Sequence, residues 1–78
     1  MSVLETVRQT VASIAQVPVP EDPAVSLFER GVIDSFGVIE LVARLEAAFG
    51  ITIPDQDMIP SSFETLEKIA SYVASRRG

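Results

Sequence analysis

Asp34 and Ser35 stand side by side just ahead of Val38, Leu41, Val42, Leu45 and Phe49, apolar residues that recur at helical spacing. With the Asp34 carboxylate as N-cap, Ser35 becomes the first residue of that helix. Its hydroxyl then lies at the rim, beside backbone N–H groups with no intrahelical acceptor and at the positive end of the helix dipole. A phosphate group is stabilised in such a place, so Ser35 is a sensible point at which to attach a phosphodiester. Asp-Ser is also ordinary capping chemistry, and the two residues alone leave both readings open.

The remaining inventory removes most other chemistry. Cys, His and Trp all number zero, which excludes a Ser-His-Asp or Cys-His triad, a thiolate, an imidazole base and the usual zinc ligands. No loop has the alternating acids and central Gly of an EF-hand. We therefore expect no catalytic residue and no metal site. Were Ser35 a nucleophile, it would need Lys68, the only lysine, as base, and no motif surrounds that residue.

Seventy-eight residues, 47% apolar and 22% charged, are enough for one small core, and we expect a single domain over residues 1–78. The net charge is −5. The acids crowd the middle of the chain, from Glu21 to Glu67, where only Arg30 and Arg44 oppose them, while Lys68, Arg76 and Arg77 make the end basic. An acidic middle repels nucleic acid and suits a basic protein partner. It equally suits an unmodified helical interaction module, or serves solubility alone. No segment approaches the ~18 apolar residues of a membrane span, and the N-terminus has no basic stretch followed by an apolar run. The expected location is the cytoplasm, with no membrane insertion.

The elements that must position Ser35 follow from periodicity. Leu4, Val7, Val11 and Ile14 predict a helix from Val3 to about Ala15, which Pro18, Pro20 and Pro23 end. A long loop, anchored by Leu27 and Phe28, then runs to Asp34; connections of this length tend to be functional, a crossover between two helices being the alternative. The second helix stops at Gly50. Ile51-Thr52-Ile53 is read as a connector. Pro54 to Ile59 predicts one short helical turn capped by Asp55 and stopped by Pro60. A last helix carries Leu66, Ile69, Ala70 and Val73 on one face, with either a Ser61/Glu64 capping box or a Thr65 cap. Arg76 and Arg77 suit its C-terminal dipole. The expected class is all-α: a small four-helix bundle with three main helices, one short third helix and a long first loop.

The longer string resembles the acyl carrier protein family. It runs Leu27, Gly31, Ile33-Asp34-Ser35-Phe36, Glu40-Leu41, Leu45-Glu46, Phe49-Gly50-Ile51, Ile53-Pro54-Asp55, Thr65-Leu66, Ile69 and Tyr72-Val73, most of the chain. The resemblance implies that Ser35 bears covalent 4'-phosphopantetheine, derived from coenzyme A, and that Asp34 helps the transferase and its metal engage the site. It implies a carrier and not an enzyme, holding an acyl or aminoacyl group as a thioester on a flexible arm. The implied partners are a phosphopantetheinyl transferase, an adenylating ligase or an acyltransferase, and a downstream transfer or condensing enzyme. The expected form is a monomer.

Two departures bear on the cargo. Family members commonly have Leu after the serine and several acids along the second helix, whereas this chain has Phe36-Gly37, and Arg44, Ala47 and Ala48 alongside Glu40 and Glu46. The Asp-Ser-Phe-Gly string is more similar to D-alanyl carriers and other stand-alone carriers that work with aminoacyl-activating ligases than to carriers of fatty-acid synthesis. Stepping about 100° per residue from Val38 also puts Phe36, Glu40, Ala43 and Ala47 roughly opposite the core face. We expect these four residues to form a docking patch beside Ser35.

Overall fold

The computed structural model describes Ser2 to Arg77. Among these residues it has three α-helices, α1 (Val3–Ala12), α2 (Ser35–Phe49) and α3 (Leu66–Arg77), two 3₁₀ turns (Asp55–Asp57 and Pro60–Phe63), and no strand. The chain is all-α as expected. The short third helix of the expected four-helix bundle is replaced by the two 3₁₀ turns.

Helix α1 begins where the Ser2 hydroxyl accepts the Glu5 N–H at 3.1 Å, with the Glu5 carboxylate in the first turn favoured by the dipole. It ends at Ala12, three residues before the expected Ala15. The Ile14 and Ala15 N–H groups reach back only three residues, to Val11 and Ala12, and Gln16 N–H leaves the helix for the Val32 carbonyl at 3.0 Å. The Ser13 hydroxyl donates to the Thr10 carbonyl at 2.6 Å, so a side chain competes for the backbone there.

The loop from 13 to 34 has few regular elements but many fixed backbone groups. The Arg8 guanidinium donates to the carbonyls of Pro20 (2.7 Å) and Glu21 (2.9 Å), tying the loop to α1. Leu27 N–H donates to the Glu64 carbonyl at 2.7 Å, and the Leu27 carbonyl accepts Val32 N–H at 2.9 Å. Gly31 turns the chain at φ 72, a left-handed conformation that side chains disfavour. Leu27 is buried as expected, and Phe28 is half-buried and packed against the core; the further anchors are Val32 and Ile33.

Helix α2 runs from its Asp34 N-cap to Gly50, which adopts φ 64 as a left-handed C-cap. Val38, Leu41, Val42 and Leu45 form its buried face. Ile51-Thr52-Ile53 is a connector, held by Ile53 N–H on the Glu46 carboxylate (2.9 Å) and by Arg76 on the Thr52 carbonyl (3.2 Å). Asp55 caps nothing; Pro54 precedes the first turn, whose bonds are Asp57 N–H to Pro54 and Met58 N–H to Asp55. Pro60 does not stop that turn but opens the second one, since its missing N–H has no acceptor to lose at a first position. Runs of three and four residues, the first preceded by Pro54 and the second opened by Pro60, are too short to nucleate an α-helix.

Thr65 is the cap of α3, its hydroxyl accepting Lys68 N–H at 3.0 Å. The Ser61/Glu64 alternative fails because Ser61 lies in the second 3₁₀ turn, and the Glu64 carboxylate pairs with Lys68. The core joins Val7 and Val11 of α1, Leu27, Val32 and Ile33 of the loop, the α2 face, Phe63, and Leu66, Ile69 and Val73 of α3. Burying each such side chain contributes about 1.5 to 3 kcal/mol. No helix among the described residues is long and apolar enough to cross a membrane.

Candidate functional site

Four exposed or half-exposed residues, Asp34 to Gly37, lie between buried anchors, Val32 and Ile33 before them and Val38 after. Those anchors belong to the core, so the entrance of α2 is presented to solvent on rigid flanks. Ser35 is exposed at the first helical position. Its hydroxyl makes no hydrogen bond among the described residues, and no side chain covers it.

Asp34 performs the capping that the sequence predicted. Its Oδ1 accepts Gly37 N–H at 2.8 Å. Its Oδ2 accepts the Gln16 side-chain amide at 3.2 Å, a partner eighteen residues away that no helical pattern could have found. Both bonds favour the ionised form and hold the carboxyl below its ordinary value, the Gly37 N–H most and the Gln16 amide next. Asp34 is therefore an anion at neutral pH, adjacent to a hydroxyl on a helix N-terminus. That terminus suits a phosphate oxygen, and the exposed hydroxyl suits an arm that must swing freely, so these residues fit a phosphopantetheine ester.

The expected patch faces outward. Phe36 is 83% exposed, and Glu40, Ala43 and Ala47 are exposed on the same helix. Two features were missed. Ile39 is 60% exposed; it lies one helical step from Val38, at the margin of the core face, and only the neighbouring elements decide that it is left uncovered. Arg44 pairs with Glu40 at 3.2 Å and reaches the Ser13 hydroxyl at 3.5 Å. Glu46, meanwhile, turns back to the Ile53 N–H. The outer face of α2 is thus apolar with an internal ion pair, and not an acidic stripe. The i, i+4 spacing of Glu40 and Arg44 was the available signal.

Comparison with known proteins agrees with this geometry. Residues 5–73 match the family model described as the phosphopantetheine attachment site. The chain is 32% identical to the D-alanyl carrier protein of Bacillus pumilus (strain SAFR-032), over 95% of this chain and 100% of the relative. It is 36% identical to the D-alanyl carrier protein of Streptococcus suis (strain 05ZYH33), over 94% and 92%. It is 35% identical to D-alanyl carrier protein 2 of Lactiplantibacillus plantarum (strain ATCC BAA-793 / NCIMB 8826 / WCFS1), over 94% and 96%. With a capped, exposed serine inside the matched region and relatives of nearly its own length, the chain belongs to the phosphopantetheine-dependent carrier protein family, whose members bear 4'-phosphopantetheine covalently.

Proposed function

We propose that Ser35 is the attachment residue and that this single-domain carrier, residues 1–78, holds an aminoacyl group, of the D-alanyl class named for its relatives. The observation that carries the reading is the exposed Ser35 hydroxyl at the capped N-terminus of α2, inside the matched region. In the modification, Ser35 Oγ forms an ester bond to the phosphorus next to the pantetheine of coenzyme A. The pyrophosphate P–O bond breaks, adenosine 3',5'-bisphosphate leaves, and the hydroxyl proton passes to a base on the transferase. The arm then supplies the thiol that carries the cargo as a thioester and raises its effective concentration at each partner.

The chain's own contribution is presentation. Val32, Ile33 and Val38 fix the helix entrance, Asp34 caps it, and Phe36 with Ile39, Ala43 and Ala47 offers an apolar surface to the loading enzyme. That enzyme is an adenylating ligase or an acyltransferase supplied in trans, because no residue here activates a carboxylate. A downstream transfer enzyme then accepts the cargo. An aminoacyl cargo is favoured over a fatty-acid one because Glu40 and Glu46 are both engaged within the chain, which leaves little free acid on α2 for enzymes that read an acidic helix.

Intact mass spectrometry after incubation with coenzyme A and a phosphopantetheinyl transferase tests the attachment. The wild type is expected to gain one arm and Ser35→Ala none. Modification of the Ala variant, or of Ser61 or Ser62, refutes the assignment. The modified chain should gain D-alanine only with ATP and an adenylating ligase; loading from ATP and amino acid alone would reveal an active site in the carrier itself.

A further inference from the structure

We propose that Gln16 is a positioning residue for the modification of Ser35, holding the Asp34 carboxylate in one orientation beside the serine hydroxyl. The inference rests on Ser35 being the modified residue. A carboxylate that caps a helix through one oxygen is not fully oriented, because rotation about the terminal sp³–sp² bond is soft. The Gly37 N–H holds Oδ1 at 2.8 Å, and that bond alone leaves Oδ2 free to swing. The Gln16 amide donates to Oδ2 at 3.2 Å. Two donors on two oxygens define the plane of the group.

Gln16 is itself well placed to impose an orientation. It lies four residues beyond the end of α1, and its backbone N–H donates to the Val32 carbonyl at 3.0 Å. Val32 is completely buried, so the anchor is part of the core. The Gln16 side chain is exposed and is not part of the apolar core, so truncating it opens no cavity there. Gln16 thus ties the segment that follows α1 to the approach and the N-cap of α2, next to Ser35. An anion fixed beside a nucleophilic hydroxyl is worth more in a transition state than one that must be ordered there.

The test is steady-state transfer of phosphopantetheine from coenzyme A with the full-length apo chain as varied substrate. Gln16→Ala is expected to lower kcat roughly threefold to tenfold, the factor of one typical hydrogen bond, with KM within about twofold and an unchanged melting temperature. Gln16→Glu keeps the shape but sets a like charge against Asp34, and should lose more. Asp34→Ser keeps a good N-cap without the second oxygen, and in that background Gln16→Ala should have no further effect on kcat. An unchanged kcat, a loss that tracks melting temperature, or a loss undiminished in the Asp34→Ser background overturns the proposal. Failure of the parent reading looks different: the wild type gains no arm, or Ser35→Ala still gains one.

Discussion

Phe36 leaves most of its ring in water while the residues around the helix entrance are anchored in the core, so truncating it removes no buried contact. Ile39, three residues on, shares its side of α2 and is also exposed. Phe36→Ala should therefore leave the melting temperature within experimental scatter and weaken binding to the loading enzyme by about 1 to 3 kcal/mol. Calorimetric titration beside a thermal melt checks this. Unchanged binding with a large loss of stability would mean that the ring is a core residue in solution. At this scale the local geometry of the site was legible: Asp34 caps and Ser35 is exposed because capping is local and sequence-near. The second oxygen of Asp34 was not legible, since its partner comes from a different element.

The two 3₁₀ turns depend on tertiary partners more than the helices do. Tyr72 of α3 donates its hydroxyl to Asp57 of the first turn at 2.7 Å, and its ring meets that of Phe63, of the second turn, edge-on at 5.6 Å between centroids. Burial first, and the Asp57 carboxylate second, push the Tyr72 phenol up to about 12 from an ordinary 10.0. A raised acid pKa in the folded state means that the protonated phenol stabilises the fold. That contribution is complete below the unfolded value of 10.0 and is lost as the pH rises through about 12. The wild type should thus lose stability between these limits more steeply than Tyr72→Phe, in chemical denaturation followed against pH. Tyr72→Phe should also be less stable at neutral pH by about 1 kcal/mol. Parallel alkaline curves for the two proteins would remove the Tyr72–Asp57 bond from the account. Helix α3 needs less help, having the Thr65 cap at one end and Arg76 and Arg77 at the other.

Across the whole molecule, Leu27 is where the long loop joins the rest. Its side chain is 1% exposed, its N–H reaches the Glu64 carbonyl ahead of α3, and its carbonyl holds Val32 at the approach to α2. One residue therefore links the loop both to the approach of α2 and to the segment ahead of α3. Leu27→Ala should cost about 2 to 5 kcal/mol, a large part of the stability of so small a domain, and denaturant titration measures it. If the variant is kept folded at low temperature, transfer to Ser35 should also slow, because the helix entrance loses its anchor. A loss below about 1 kcal/mol would mean that the loop is held by Arg8 and the backbone bonds instead.

The amino-acid sequence by itself determined the helical class, the bounds of α2 and the outward direction of Phe36, because a 3.6-residue period, an Asp N-cap and a terminal Gly act within one turn of chain. It also carried the family, through the string from Leu27 to Val73. What the tertiary structure decided lies between elements. Glu46 had a helical position but no visible partner until the connector folded back to it. The short segments after Pro54 became 3₁₀ turns because side chains of α3, not their own few backbone bonds, hold them. The exposure of Ile39 and the grip of Gln16 on Asp34 were undetermined for the same reason: each depends on which distant segment covers or reaches a residue, and neither periodicity nor capping encodes that.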